Sequence, residues 1–283
     1  MLHVQKVSGA AMLQAQQYRE TEAGSGRERM FSLDGQTALI VGIANAHSIA
    51  WGCAQALARQ GARLAVTYLN DKAEPHVRPL AEEVGAEIVM PLDVSDPAQM
   101  DALFAEIAER WGRLDTLLHS IAFCPRDDLH GRVVDCSAEG FALAMDVSVH
   151  SFLRMIRRAE PLMQNGGTCM TVSFQGADRV VEHYNIMGPV KAALDSAVRY
   201  AAAELGPKGI SVHALSPGPL ATRAASGIAA FDELLDAAAA RAPTHHLATI
   251  EDVGAYCAFL ASREAANVTG GIHPIDGGYS IIG

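Results

Sequence analysis

From Phe31 onward the chain alternates short apolar runs with longer stretches in which apolar residues recur at helical spacing. The runs are Thr37–Val41, Arg63–Tyr68, Glu87–Met90, Leu114–Ser120, Thr168–Ser173, Ile210–Leu215 and Ile272–Ile275. A short run that is apolar throughout, not alternating, is what a strand buried on both faces requires. Ile49–Arg59, Asp71–Val84, Asp96–Arg110, Ala138–Met163 and Ala192–Leu205 read as helices. Pro75 and Pro79 should disturb the second of these. Pro97 instead opens the third, at a position whose N–H needs no helical partner. Strands and helices in this order predict the α/β class: a doubly wound parallel sheet of about seven strands, helices on both faces and right-handed crossovers. No internal repeat or linker follows residue 31, so 31–283 reads as one domain.

Residues 1–30 stand apart. They are polar and lack a secretory apolar core, and they read as a frayed helix, a disordered tail, or upstream sequence from a misplaced start codon. A net charge of −10 argues against nucleic acid or an anionic membrane as the main partner. No apolar run is long enough to span a bilayer. Five scattered cysteines without CxxC spacing fit reduced thiols in a cytoplasm, not a disulfide framework or zinc site.

The first run leads into Val41-Gly42-Ile-Ala-Asn-Ala-His-Ser48-Ile49 and then a helix. A glycine-containing turn between the first strand and first helix is where a Rossmann-type sheet holds a dinucleotide. Gly42 allows the tight turn, and the helix start offers free N–H groups and a positive dipole end to the pyrophosphate. Ser48 can cap the helix, touch phosphate, or do both. Other polar positions also fall just after strands: Asn70-Asp71, Asp93-Val94 and Ser120. Asp93 can accept from an adenine amine or cap the next helix. The turn after strand two has Asp71 and no arginine pair, which favours NADH over NADPH.

Tyr184 and Lys191 lie seven positions apart, close to two helical turns, so they share a face if the helix begins near Tyr184. A cation beside a phenol would make the hydroxyl a better donor to an oxygen gaining negative charge. A half-buried tyrosine and a snorkelling surface lysine would give the same spacing.

Taken together, Gly42-x5-Ser48-Ile49-Ala50-x-Gly52, His119-Ser120-Ile121-Ala122-Phe123, Tyr184-Asn185-x-Met187-Gly188-x-x-Lys191, Ser216-x-Gly218-Pro219, Ala224-Ala225-Ser226-Gly227 and Asp276-Gly277-Gly278 resemble the enoyl-acyl-carrier-protein reductases. These are a divergent branch of the short-chain dehydrogenases. Ordinary members of the larger family place the lysine four residues after the tyrosine, and position 188 here is glycine. The resemblance implies NADH-dependent reduction of trans-2-enoyl thioesters carried by acyl carrier protein, the last step of fatty-acid elongation, by a cytoplasmic homotetramer. It implies Tyr184 and Lys191 as catalytic. It implies Gly42, Ser48, Ile49, Asp93, Val94, Ile121, Lys191, Leu220, Ala221 and Thr222 as cofactor-binding. It implies Cys124, Phe174, Tyr184, Met187, Ala224 and Ile228 as substrate-binding, the last two within a Gly218–Ala230 loop that acts as a lid.

The chain departs from the family pattern at Leu69, Cys124, Phe174, Pro189 and Ala221. Phe174 replaces a tyrosine found in many members, and we expect its ring to pack on the acyl chain. A short-chain dehydrogenase acting on another carbonyl or activated alkene, and a non-catalytic dinucleotide sensor, are the competing readings.

Overall fold

β1 (Thr37–Val41) and β4 (Thr116–His119), buried along their whole length, lie side by side within the sheet. β2 (Arg63–Tyr68) and β3 (Ile88–Pro91) extend it on one side. β5 (Gly167–Val172), β6 (Ile210–Pro217) and β7 (Ile272–Ile275) extend it on the other. The order is β3-β2-β1-β4-β5-β6-β7 and every neighbouring pair is parallel. The computed structural model describes residues 31–220, 235 and 238–282. Both edge strands contain a proline, Pro91 in β3 and Pro274 in β7, where a missing N–H costs no interior ladder bond. The chain reverses direction across the sheet between β1 and β4. The crevice beyond their carboxyl ends is where such folds bind ligands.

The two faces of β1 feed two cores. Leu39 and Val41 join one with Leu103 of α3 (Pro97–Trp111), Phe152 of α6 (Ser151–Ala159) and Leu194 of α7 (Met187–Leu205). Ala38 and Ile40 join the other with Leu57 of α1 (Ile49–Arg59), Val77 of α2 (Glu74–Glu83) and Val253 of α8 (Ile250–Leu260). Each fully buried leucine or isoleucine contributes about 1.5–3 kcal/mol relative to exposure. A run that is apolar at consecutive positions is therefore needed to cover both sides.

The structure moves several boundaries. β3 runs from Ile88 to Pro91, not Glu87 to Met90. α2 begins at Glu74, so that Pro75 falls in its first turn while Pro79 stays inside it. α3 starts as expected: the Asp96 side chain caps it, accepting from the N–H groups of Ala98 (2.9 Å) and Gln99 (3.3 Å). After the short α4 (Arg126–His130), the expected helix from Ala138 to Met163 is divided. α5 (Ala138–Met145) gives way to a π turn at Asp146–His150, then α6, then a 3₁₀ turn at Glu160–Leu162. The wide turn is held by Arg154. Its guanidinium grips Asp146 through both nitrogens (2.5 and 3.1 Å) and donates to the Val94 carbonyl (2.9 Å).

Candidate active site

Tyr184 is set by its backbone. His183 and Asn185, on either side of it, both have positive φ, 63° and 47°. Two non-glycine residues in the left-handed region flanking one tyrosine mark a constrained turn of the kind found at functional sites. The Asn185 side chain fixes that turn by donating to the Leu129 carbonyl at 2.8 Å. The Tyr184 ring then seats on Gly176, where any Cβ would stand 2.5 Å from Cδ1, and against the Phe174 ring at 4.9 Å and 60°. Only glycine leaves room for it. α7 begins at Met187, after Tyr184 and not at it, yet Tyr184 and Lys191 line the same cavity. Pro189 lies in the first turn of α7, where the helix asks for no N–H.

That cavity, about 330 Å³, opens at the carboxyl ends of β4, β5 and β6. It is lined by Ile49, by Ser120 to Cys124, by Leu129, by Val172 to Phe174, by Tyr184, Met187 and Lys191, and by Pro217 to Leu220. Its surface is mostly apolar, with few hydroxyls and one amine, as suits an acyl or ring-bearing ligand. Lys191 is 5% exposed, and its ammonium donates to the Val172 carbonyl at 2.6 Å. Burial pulls its pKa down to about 8, and the carboxylate of Asp195 one turn along acts against that fall. Tyr184 is half-buried. Burial, and to a lesser extent Asp195, push its pKa above the usual tyrosine value. This runs opposite to the depression expected from a neighbouring cation, so the phenol stays protonated and acts as a donor.

Gly42 sits where the Rossmann turn requires it. Its φ is +113°, and a Cβ there would stand 2.1 Å from the Ser120 carbonyl oxygen. Ser48 precedes α1, but its hydroxyl accepts from Ala44 N (3.0 Å) and Asn45 N (3.1 Å) and caps no helical N–H. It therefore shapes the loop. The first turn of α1 holds no acidic residue, leaving its positive end open to a phosphate.

Of the residues expected at the site, Ile49, Ile121, Cys124, Phe174, Tyr184, Met187, Lys191 and Leu220 meet in the cavity. Gly42 and Ser48 stand beside it in the first turn. Asp93 and Val94 do not line it. The Asp93 carboxylate accepts from Ser95 N at 2.8 Å, while Val94 is buried and its carbonyl serves Arg154. Ala221, Thr222, Ala224 and Ile228 lie outside the described residues, as does most of the expected lid. The Cys124 thiol is pushed up to about 11, by burial first and then by Asp128, so it is a packing group here, not a nucleophile.

Sequence reasoning passes over the groups that hold the lining in place. Ser148 accepts from Phe123 N (3.0 Å) and donates to Phe123 O (3.2 Å). Ser151 donates to the Val147 carbonyl (2.6 Å), so it must accept from His119 Nε2 (2.7 Å). His119 Nδ1 is then left to accept from Thr171 (3.1 Å). Burial takes the His119 pKa down to about 3, which keeps the ring neutral. These groups are distant in sequence and show no spacing signal.

The family model described as enoyl-(acyl carrier protein) reductase matches residues 42–280. An enoyl-[acyl-carrier-protein] reductase [NADH] of Rhizobium meliloti is 44% identical over 251 residues, 89% of this chain and 92% of that one. Two solved structures are similar over most of the chain. An enoyl-(acyl-carrier-protein) reductase of Anaplasma phagocytophilum in complex with NAD gives a TM-score of 0.84 at 40% identity, covering 89% of this chain and 94% of that one. The Bacillus cereus enzyme with NADP+ and an indole naphthyridinone gives 0.87 at 40%, covering 90% and 100%. The likeness runs through the Gly42 turn, the Tyr184 turn and α7 alike, and the chain belongs to the enoyl-(acyl carrier protein) reductase family.

Proposed function

We propose that the chain reduces the carbon–carbon double bond of trans-2-enoyl thioesters, with NADH as the reductant. The observation that carries this is the meeting of Tyr184 and Lys191 in one apolar cavity beside the Gly42 turn. NADH supplies the hydride. Gly42 and the open start of α1 suit a pyrophosphate, and Lys191 has two N–H donors left for ribose hydroxyls. As hydride reaches the β-carbon, negative charge gathers on the thioester oxygen, the protonated Tyr184 hydroxyl donates a hydrogen bond to it, and a proton from solvent taken up at the α-carbon completes the reduction. Phe174, Met187 and Leu129 wall the acyl chain and keep water from it.

The finer points rest on likeness to the family. The substrate arrives on acyl carrier protein, the assembly is a homotetramer, the compartment is the cytoplasm, and residues 31–283 act as one catalytic domain. Exposed Phe141 and Leu143 on α5, Leu153 on α6, Tyr200 on α7, and Ile281 and Ile282 near the C-terminus support self-association. Among the described residues no helix is long and apolar enough to cross a membrane. The test is to follow NADH absorbance with crotonyl thioester and with a panel of ketones. Turnover on the thioester and none on the ketones supports the assignment; the reverse sinks it.

A further inference from the structure

Behind Lys191 lie two buried polar groups that the reaction as described leaves unused. Ser173 lines the cavity, is 3% exposed, and its hydroxyl closes no hydrogen bond among the described residues. Asp195 is also 3% exposed, and its Oδ1 closes none either. Buried polar atoms are nearly always partnered, and a pair left open in one place calls for an explanation. The two groups are neighbours: burial pushes the Asp195 carboxyl above the ordinary carboxylate range, and the nearby Ser173 hydroxyl acts against that rise. Asp195 follows Lys191 by four positions on α7, so the two side chains share a face.

We propose that Asp195 is a positioning residue of the reductase site: with Ser173 beside it, its carboxylate keeps the buried Lys191 ammonium charged, and so able to hold the cofactor ribose. This rests on the reductase reading above. The groups facing Lys191 and Asp195 from each packed element bear it out. β4 brings His119, which is neutral, and the turn before α7 brings Tyr184, which is protonated. The end of β5 brings Ser173, the following loop brings Asp178, and α7 itself brings Arg199. Asp195 is the carboxylate that acts on Lys191 and opposes its desolvation. Asp178 and Arg199 act on Asp195 with opposite signs. Without Asp195, burial would go unopposed and Lys191 would lose its proton nearer neutrality.

The test is NADH affinity, by fluorescence titration, from about pH 6 to about pH 9.5, for the full chain and for Asp195→Asn, Asp195→Glu and Ser173→Ala, with a melting curve for each. In the native protein affinity should weaken as the pH rises past about 8, where Lys191 loses its charge. Asp195→Asn should move that limb down by about one pH unit, so that Kd at pH 8 rises roughly tenfold while Kd at pH 6 barely changes. Asp195→Glu should restore the limb, and Ser173→Ala should move it down by less. An equal loss of affinity at every pH would mark a packing role, and an unmoved limb no role; either overturns the proposal. Should Asp195→Asn not fold, Ser173→Ala decides, an unmoved limb again overturning it. If the native chain binds no NADH at any pH, the reductase reading fails instead.

Discussion

The buried ammonium of Lys191 donates to the carbonyl of Val172, the last residue of β5, at 2.6 Å. This bond ties the start of α7 to the end of β5. Tyr184 stands in the turn between them, so both side chains are referred to one strand end. The phenol and the amine can therefore do separate jobs from fixed positions.

Tyr184→Phe removes the donor to the developing negative charge and keeps the ring on Gly176 and Phe174. Turnover on an enoyl thioester should fall on the order of 10²–10³, with NADH affinity unchanged. Stopped-flow assay with parallel cofactor titration separates the two. Near-native turnover in the variant would remove Tyr184 from the mechanism.

Cofactor choice follows from the turn after β2. Leu69, Asn70, Asp71 and Lys72 lie in it, and all four are exposed. Arg78, stacked on the Tyr68 ring at 5.9 Å, is a further cation nearby, but it is already bound to Glu74. With that charge met, exposed Lys72 is the cation left beside exposed Asp71, and the carboxylate offsets what the ammonium could offer a 2′-phosphate. The Bacillus cereus structure holds NADP+, so the fold itself does not forbid the phosphate. Steady-state kinetics here should give kcat/KM for NADH at least about tenfold above NADPH, worth roughly 1.4 kcal/mol. Parity between the cofactors would contradict this reading of the turn.

Phe174 lies tilted against the Tyr184 ring and faces the cavity. Its ring is thus an apolar wall and a support for Tyr184, and an added hydroxyl has no proton to move. Phe174→Tyr should change kcat on crotonyl thioester by less than about tenfold, under roughly 1.4 kcal/mol of barrier. A gain of two orders of magnitude would mean the native chain lacks a catalytic group.

Acid should weaken the fold through His119. Burial depresses its pKa to about 3, while in the unfolded chain it titrates near about 6.5. Between those values the unfolded state binds the extra proton. The contribution is complete above about pH 6.5 and is lost as the pH falls toward 3, by at most roughly 1.4 kcal/mol per pH unit. Denaturant melts at several pH values should show His119→Gln less stable at neutrality, yet losing less on acidification. Parallel losses in both proteins would assign the effect to other groups.

Much of this fold is legible in the amino-acid sequence. Strands buried on both faces announce themselves as unbroken apolar runs, so β1, β2, β4, β5 and β6 stand within a few residues of where the runs put them. Gly42 is legible from the tight turn it must make after the first run, whereas the spacing of Tyr184 and Lys191 also fits a structural pair and only the family resemblance singles them out. The π turn at Asp146–His150 is not legible: Asp-Val-Ser-Val-His is a weaker helix former than α5, but nothing in it distinguishes a wide turn from a regular one, and the Arg154 bond to Val94 that accompanies it joins distant parts of the chain. Asp93 and Val94 also follow a strand, but the bonds from Ser95 N–H to Asp93 Oδ1 and from Arg154 to the Val94 carbonyl leave no mark in the sequence. Ser173 and Asp195 give no motif at all and become visible only as buried atoms without partners.

The π turn also determines what kind of change this region can absorb. It lets Ser148 reach Phe123 and Ser151 reach His119 from a single stretch of backbone. Removing any one residue there would restore a regular helix and swing α6 by about 100° against α5. One of the two serines would then face away from its partner. Side chains in this segment are replaceable in a way that its length is not: it serves as a spacer, measured in residues.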